Sequence, residues 1–169
     1  MKIVTIIFIL LQCLIFIGCS VAEQKVQGNK ILNSTNKIDL AQLKPCPSSP
    51  NCINTEYPDD KDHYLVALSF SEQKMDTINE LSKDIILNMG GKVIDESGNL
   101  KTNYYLHATF TSTIFSFVDD FEIRLNNETE LLHIRSSSRV GYSDFGVNKR
   151  RVKEFSKQFE IKLNSRFKQ

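Results

Sequence analysis

Two stretches of the chain carry apolar residues at the three- to four-residue spacing of an amphipathic helix. Ser69 and Glu72 fit a capping box before the first stretch, and Gly90 and Gly91 are placed to end that helix. Asn148 is placed to cap the second helix, near the C-terminal end of the chain. The repeating apolar positions are Met75, Ile78, Leu81, Ile85, Ile86 and Met89 in the first stretch, and Val152, Phe155, Phe159, Leu163 and Phe167 in the second.

Alternation of apolar and polar residues predicts β-strands before and between these helices. In the longest such segment, Tyr104 and Leu106 share one face of the strand, whereas Tyr105 and His107 share the other. The order strand, helix, run of strands, helix favours an α+β fold, with an antiparallel sheet and both helices packed on one of its faces. The predicted strands cover residues 64–70, 92–95, 103–113, 117–125 and 130–140.

The N-terminal segment predicts where the protein is located. Residues 1–18 contain one lysine followed by an apolar run, which is typical of a secretory signal peptide. The sequence "FIGC", which ends at Cys19, resembles the lipobox of bacterial lipoproteins. This resemblance implies a lipid such as palmitate on Cys19 and a location at the cell envelope, on the outer membrane where the cell has one, because Ser20 and not aspartate follows. An uncleaved anchor and ordinary secretion are the alternatives.

The rest of the chain divides into a tether and a domain. Residues 19–44 are polar and lack a sustained periodicity, so we predict a tether that leads to one domain over residues 45–169. Cys46 and Cys52 lie close together within "CPSSPNC". In an exported chain such a pair favours a disulfide. Free thiols or a catalytic pair are the alternatives, although the spacing is not the Cys-x-x-Cys of redox sites.

Charge is balanced overall but concentrated locally. The chain has 21 Lys and Arg against 20 Asp and Glu, a formal net charge of +1, which disfavours nucleic acid as a partner. Residues 135–151, "RSSSRVGYSDFGVNKRR", are rich in arginine and serine. On a strand, Arg135 and Arg139 would point the same way. Asp119 interrupts an apolar face and needs a partner, for which we expect an arginine from a neighbouring strand.

Three motifs resemble those of a known family. They are "CPSSPNC", "FVDDFEIRL" and "IRSSSRVGYSDFGVNKRRV". Together they resemble the domain of unknown function 1499 family, from about Leu43 to the final helix. The resemblance implies a protein of the bacterial envelope or of plant plastids, and it implies no established activity.

The polar residues around these motifs form the candidate site. We interpret them either as a site for an anionic ligand, lipid head group or partner protein, or as a structural network of Asp–Arg pairs and serine hydroxyls. The favoured function is a non-catalytic, lipid-anchored envelope module that binds around Arg135 and Arg139. A structural or assembly factor of the envelope is one alternative. The candidate residues are Asp119, Asp120, Arg135, Ser137, Arg139, Ser143, Asp144, Asn148 and Arg151.

A hydrolase that uses the serine- and aspartate-rich loop is the other alternative, and the residues give it little support. Residues 135–151 contain no Gly-x-Ser-x-Gly elbow and no Ser-x-x-Lys motif. His63, His107 and His133 are scattered singly, so we predict no metal site and no cofactor. The sequence therefore does not favour an enzyme.

Overall fold

The computed structural model describes residues 42–167, with side chains as far as Ser165. The predicted signal peptide, the lipidation site Cys19, the tether up to residue 41 and the side chain of Phe167 lie outside the described residues. In chain order the elements are β1 (Cys52–Asn54), β2 (Leu68–Ser69), α1 (Met75–Asn88), β3 (Lys92–Gly98), β4 (Asn103–Thr111), β5 (Val118–Asn126), β6 (Leu131–Ser138) and α2 (Val147–Phe167).

The strands form one antiparallel sheet, as predicted. β3, β4, β5 and β6 follow one another as a meander, in which each strand pairs with the next along the chain. β1 pairs with the C-terminal half of β6, and β2 pairs with the start of β6. The two short strands therefore share one edge of the sheet, which gives the order β1-β6-β5-β4-β3 with β2 beside β6.

Both helices pack on the same face of the sheet, which we call the helix face. Every second residue of β4 and β5 points to this face, because side chains alternate along a strand. Phe121 at its centre contacts Phe110 and Phe155, whose ring centroids lie 5.6 and 5.3 Å away. α1 contributes Met75, Ile78, Leu81, Ile85 and Ile86 to the same cluster, and α2 contributes Val152, Phe155 and Phe159. The predicted α+β architecture is confirmed.

The start of α1 differs from the prediction. Ser69 belongs to β2, where it pairs with Leu131, and it lies too far from the helix to cap it. Glu72 has a left-handed backbone, with φ of 67°, and the helix begins only at Met75. Lys74 occupies the cap position without a side-chain hydrogen bond to the helix. The capping box is therefore wrong, because the edge pairing with β6 holds the chain extended through Ser69.

The N-terminal part of the domain is fastened across the edge of the sheet. The predicted disulfide between Cys46 and Cys52 is present, and Cys52 is buried in β1. Closing so short a loop stabilises the fold by about 2 kcal/mol through the entropy of the unfolded chain. Leu43 is also buried; its backbone N–H donates to Glu56, and its carbonyl accepts from the Tyr57 hydroxyl.

Candidate functional site

A groove with a volume of about 1000 Å³ opens at the end of the sheet where β4 and β6 finish and β5 begins. Its floor contains Phe110, Asp119, Ser138 and Arg151, which come from β4, β5, β6 and α2. Phe110 and Asp119 are direct partners across the sheet, and Asp119 and Ser138 are the next pair. The walls are two loops, residues 112–117 and 139–146, which we call the first and second rim loops.

The rim loops expose apolar side chains. Phe115 is 70% exposed and Phe145 is 88% exposed, so neither contributes to the core. Of the eleven large apolar side chains that are exposed in the described residues, six lie in these two loops: Ile114, Phe115, Phe117, Val140, Tyr142 and Phe145. Apolar side chains scattered singly over a surface are ordinary, whereas a contiguous patch marks a binding surface.

The first rim loop is closed by its own serine. The Ser112 hydroxyl accepts from the Phe117 N–H at 2.9 Å, and the Ser112 N–H donates to the Phe117 carbonyl at 2.8 Å. Ser116 takes a left-handed backbone, with φ of 54°, inside this short closure. The two ends of the loop are therefore joined, and its tip, which includes Phe115, is exposed.

The second rim loop is fixed at both ends by hydrogen bonds. The Asn51 side-chain amide donates to the Gly141 carbonyl at 2.6 Å, which ties the loop to the segment before β1. Asp144 accepts from the backbone N–H groups of Gly146 and Asn148 at 2.9 and 2.6 Å. Asp144 therefore caps α2, and the prediction that Asn148 does so is wrong, because Asn148 lies inside the first helical turn.

An ion pair lies in the floor of the groove. Arg151 Nη2 donates to Asp119 Oδ2 at 2.8 Å, and each side chain is only 12% exposed. The guanidinium also lies 4.6 Å from the centre of the Phe110 ring, within the range of a cation–π contact. Asp119 thus has the arginine partner that its position required, but the arginine comes from α2 and not from a neighbouring strand. The strand residues directly opposite Asp119 on the helix face are Phe110 and Ser138, neither of which carries a charge.

Asn148 joins four parts of the chain below the groove. It is almost fully buried, and its amide donates to the Asn51 carbonyl at 3.1 Å and to the Ser138 hydroxyl at 3.0 Å. Its side-chain oxygen accepts from the Ser136 hydroxyl and from Arg151. The hydrogen bonds of Asn148 therefore connect α2, β6, the disulfide loop and the floor ion pair.

The opposite face of the sheet, which we call the distal face, carries the other half of the predicted cluster. Glu122 on β5 accepts from the Tyr105 hydroxyl of β4 at 2.7 Å and from Arg135 of β6. The Arg135 and Glu122 side chains are 14% and 13% exposed, so the pair is largely buried. Burial and the negative charge of Glu122 together raise the pKa of Tyr105. The tyrosine therefore stays a hydrogen-bond donor at every physiological pH.

A second polar ladder runs beside the first. His107 Nε2 lies 2.8 Å from Asp120 Oδ1, and Arg139 donates to both oxygens of Asp120 at 2.8 to 3.1 Å. Burial alone would raise the pKa of Asp120, but the hydrogen bonds from Arg139 and His107 outweigh this effect and lower it below its ordinary value. Ser137, which is buried, is the β6 residue directly opposite Asp120.

The predicted site residues thus fall into two groups on opposite faces of the sheet. Arg135 and Arg139 do share a face, but each guanidinium contacts a carboxylate, an arrangement that favours the structural interpretation of these two arginines. The distal-face group is Asp120, Arg135, Ser137 and Arg139. The group at the groove is Asp119, Ser143, Asp144, Asn148 and Arg151.

One buried ion pair was not predicted from the sequence. Arg124 on β5 donates to Glu56, and the two side chains are 6% and 1% exposed. His133 lies beside this pair; burial and the charge of Arg124 lower its pKa, although Glu56 acts in the opposite direction. Alternation along β5 places Arg124 on the distal face with Asp120 and Glu122. No local pattern points to Glu56, which is 68 residues away in the chain.

The serine and the aspartate of the second rim loop take part in local hydrogen bonds. The Ser143 hydroxyl accepts from the Phe145 N–H at 3.3 Å, and Asp144 is used as the helix cap. Within the described part of the chain, none of the three histidines, His63, His107 and His133, lines the groove. Over the same part of the chain, no group of three or more His, Cys, Asp or Glu side chains is placed to hold a metal ion.

Arg150 is the cation at the groove that has no acidic partner. Its guanidinium is exposed and donates to the Phe145 carbonyl at 2.8 Å, and it forms no ion pair with any residue in the range 42–165. Three carboxylates also line the groove: Asp119 pairs with Arg151, Asp144 accepts backbone N–H groups at the start of α2, and Glu154 accepts from Gln158 at 2.9 Å. Arg150 is therefore a groove-lining cation whose charge no carboxylate in the range 42–165 contacts.

Comparisons with known proteins give a family and no activity. A family model described as protein of unknown function (DUF1499) matches residues 42–159, a range that contains the whole groove. No curated protein and no solved structure matches the chain. Neither helix, over the part of the chain that the structure describes, is both long and apolar enough to cross a membrane.

Proposed function

The chain belongs to the family of proteins of unknown function DUF1499, and we propose that its domain is a non-catalytic module that binds a lipid through the groove. The acyl chain lies between the two rim loops, and the anionic head group lies at the mouth beside Arg150. One observation carries the proposal: an open groove of about 1000 Å³ whose walls are apolar although they face water.

The floor of the groove supports an apolar ligand. Asp119 and Arg151 are bonded to each other, and the Ser138 hydroxyl accepts from Asn148, so these polar groups already have partners. A ligand therefore gains little by bringing its own polar groups to the floor. It gains from the apolar area that it removes from water, at about 25 cal/mol per Å². The volume lies at the upper end of the range of about 300–1000 Å³ that small-molecule pockets cover.

We also propose that Cys19 carries a lipid anchor and that the protein acts at the cell envelope, on the outer membrane where the cell has one. The support is the apolar leader that ends in "FIGC". Cells supplied with labelled palmitate are expected to label the wild-type protein and to leave Cys19→Ala unlabelled. Equal labelling of the two proteins would refute acylation at this cysteine.

The test of the groove is photo-crosslinking with a lipid that carries a photoreactive group in its acyl chain. The full chain is reconstituted into vesicles that contain this lipid, and cross-linked peptides are mapped by mass spectrometry. We expect adducts on the rim loops. Val147→Trp fills the wall of the groove, and Ile161→Trp is its control, because both positions are exposed, β-branched and on α2, but only Val147 lines the groove.

Loss of adducts in Val147→Trp, with retention in Ile161→Trp, is the predicted result. Equal adduct yields in the two variants would mean that the lipid contacts the loops without entering the groove, and the proposal would fail. If the groove instead holds a protein partner, the loops should stay unlabelled in vesicles that contain no other protein. That result would also contradict lipid binding in the groove. Arg150→Gln tests the head group: its adduct yield should fall for anionic lipids and stay unchanged for zwitterionic ones.

A further inference from the structure

The rim loops expose more apolar surface than the groove needs. Phe115 and Phe117 stack on each other with ring centroids 5.6 Å apart, yet both rings are more than half exposed. Ile114 and Tyr142 are exposed, at 83% and 74%, and they do not line the groove. A ligand inside the groove therefore leaves these two side chains in water. Their exposure requires a second explanation.

The backbone of Phe145 has a conformation that is unfavourable for a bulky residue. It has a φ of 53°, in the left-handed region that bulky L-residues avoid because their Cβ lies too close to the following carbonyl oxygen. Its side chain is 88% exposed, so within the described domain the ring recovers none of that cost through burial. Strained residues of this kind concentrate at functional sites, where another contact compensates for the strain. The fold thus presents an aromatic ring to something outside the domain.

We propose that the rim loops are a membrane-docking surface, in which Phe115, Tyr142 and Phe145 insert into the interface of a lipid bilayer. Aromatic side chains favour the interface between head groups and acyl chains. Only two residues of the loops, Arg139 and Asp144, carry a charge; the first is paired with Asp120 and the second caps α2. Of these two charges, that of Arg139 has a counter-charge, and that of Asp144 accepts two backbone N–H groups at the start of α2.

The charges next to the loops favour a bilayer over a protein as the occupant. Lys149 and Arg150, on the first turn of α2, are exposed and form no ion pair among residues 42–165. Arg150 is held beside the ring that inserts, because it donates to the Phe145 carbonyl at 2.8 Å. An apolar patch flanked by basic residues is the pattern of proteins that bind at membrane surfaces, where cations close to the surface are attracted by anionic lipid.

The length of the tether is compatible with docking. From Cys19 to the first described residue, Gln42, the chain advances by 23 positions. A chain of this length spans at most about 80 Å when it is fully extended. A domain attached through Cys19 therefore stays close enough for its loops to reach the bilayer. The docking proposal depends on the proposed anchor only for this reach, and it does not require a ligand in the groove.

The test uses the absence of tryptophan from the chain, which makes any introduced tryptophan a unique probe. Ile114→Trp and Tyr142→Trp report on the rim loops, because both side chains are exposed and neither lines the groove. Val66→Trp is the matched control, because Val66 is 74% exposed but lies just before β2, near the opposite end of β6. Each full-length variant is reconstituted into protein-free vesicles of phosphatidylcholine and phosphatidylglycerol, so the anchor is the same in all three.

The predicted result is a blue-shifted emission from the two loop tryptophans, with strong quenching by lipids brominated near the carbonyl end of their acyl chains. This depth corresponds to the 5–10 Å, roughly, to which interfacial segments are buried. The control tryptophan should be neither shifted nor quenched. Equal quenching at all three positions, or a loop emission typical of water, would overturn the proposal. A blue shift that appears only after envelope proteins are added would overturn it in favour of a protein partner.

The result stays informative whatever happens in the groove. Quenching of the loop tryptophans in vesicles without cross-linking inside the groove would support docking and refute lipid binding in the groove. Cross-linking inside the groove without quenching of the loop tryptophans would support lipid binding in the groove and refute docking. Lys149→Gln with Arg150→Gln should reduce quenching when phosphatidylglycerol is present, and should change nothing in phosphatidylcholine alone. An unchanged response to phosphatidylglycerol would show that the basic residues have no part in docking.

Discussion

The ion pair in the floor of the groove gives a prediction whose magnitude follows from its burial. Arg151→Met removes the guanidinium and leaves Asp119, which is 12% exposed, without a counter-charge. Breaking a buried pair by removing one partner costs about 3–5 kcal/mol. Because a small part of each side chain still contacts water, we expect the lower end, about 3 kcal/mol. Arg151 also contacts the Phe110 ring and Asn148. The expected loss of stability includes the loss of these two contacts.

Urea unfolding of the full chain measures this loss. With a slope of about 2 kcal/mol per molar urea, a loss of 3 kcal/mol lowers the midpoint by about 1.5 M. Asp119→Asn alone should also destabilise the domain, because it leaves a buried cation. The double variant Asp119→Asn with Arg151→Met should lose less than the sum of the single variants, with a coupling of about 2 kcal/mol. The coupling appears only if the two side chains interact directly.

Arg139→Met is the control. It removes the same charge from another ion pair, but its side chain is 48% exposed and contacts Asp120 near the surface. Exposed pairs contribute little, so the midpoint should not move measurably. The reasoning would be refuted by equal midpoint shifts in Arg151→Met and Arg139→Met. It would also be refuted if the effects of Asp119→Asn and Arg151→Met were simply additive.

Three further changes test other parts of the structure. Burial and the charge of Arg124 lower the pKa of His133 in the folded domain, so the unfolded chain binds a proton at this residue more readily than the folded one. The free energy of unfolding should therefore fall as the pH drops below the ordinary histidine pKa of about 6.5. In His133→Asn the urea midpoint should change less between pH 7 and pH 5 than it does in the wild type. An equal change in the two proteins would contradict this assignment. Gly91→Ala places a Cβ 2.6 Å from the Phe110 ring, so thermal unfolding should show that the domain loses about 1–3 kcal/mol of stability. An unchanged melting temperature would show that the Gly91 backbone does not lie so close to the ring. Phe145→Asn should leave stability unchanged or raise it by up to about 1 kcal/mol, because asparagine tolerates a left-handed backbone, and a clear loss in the same scan would show that the ring supports the fold.

The regular part of the fold could be predicted because each element has one buried face. Alternation located β4, β5 and β6, and the helical spacing located α1 and α2. β1 escaped prediction because it is three residues long and exists only through its pairing with β6. The capping box failed for a similar reason: the local signal at Ser69 was weaker than its pairing with Leu131.

The candidate site could be predicted only in part. Asp119 stood out because a carboxylate on an apolar face requires a partner, and the partner exists. The sequence could not assign that partner to α2, since helix packing decides which arginine reaches the floor. The groove itself was missed because it is a space between two loops. The available signal was composition, since six of the fourteen residues in the two rim loops are large and apolar, whereas loops are usually polar.

Native mass spectrometry of the full chain is the most direct test of whether the groove holds a lipid. The protein is released from gently extracted membranes, and bound molecules are identified by their mass and fragmentation. We expect a non-covalent lipid on the wild type and on Ile161→Trp, and no such lipid on Val147→Trp. The same adduct on all three proteins, or none on the wild type, would show that the groove does not hold a lipid.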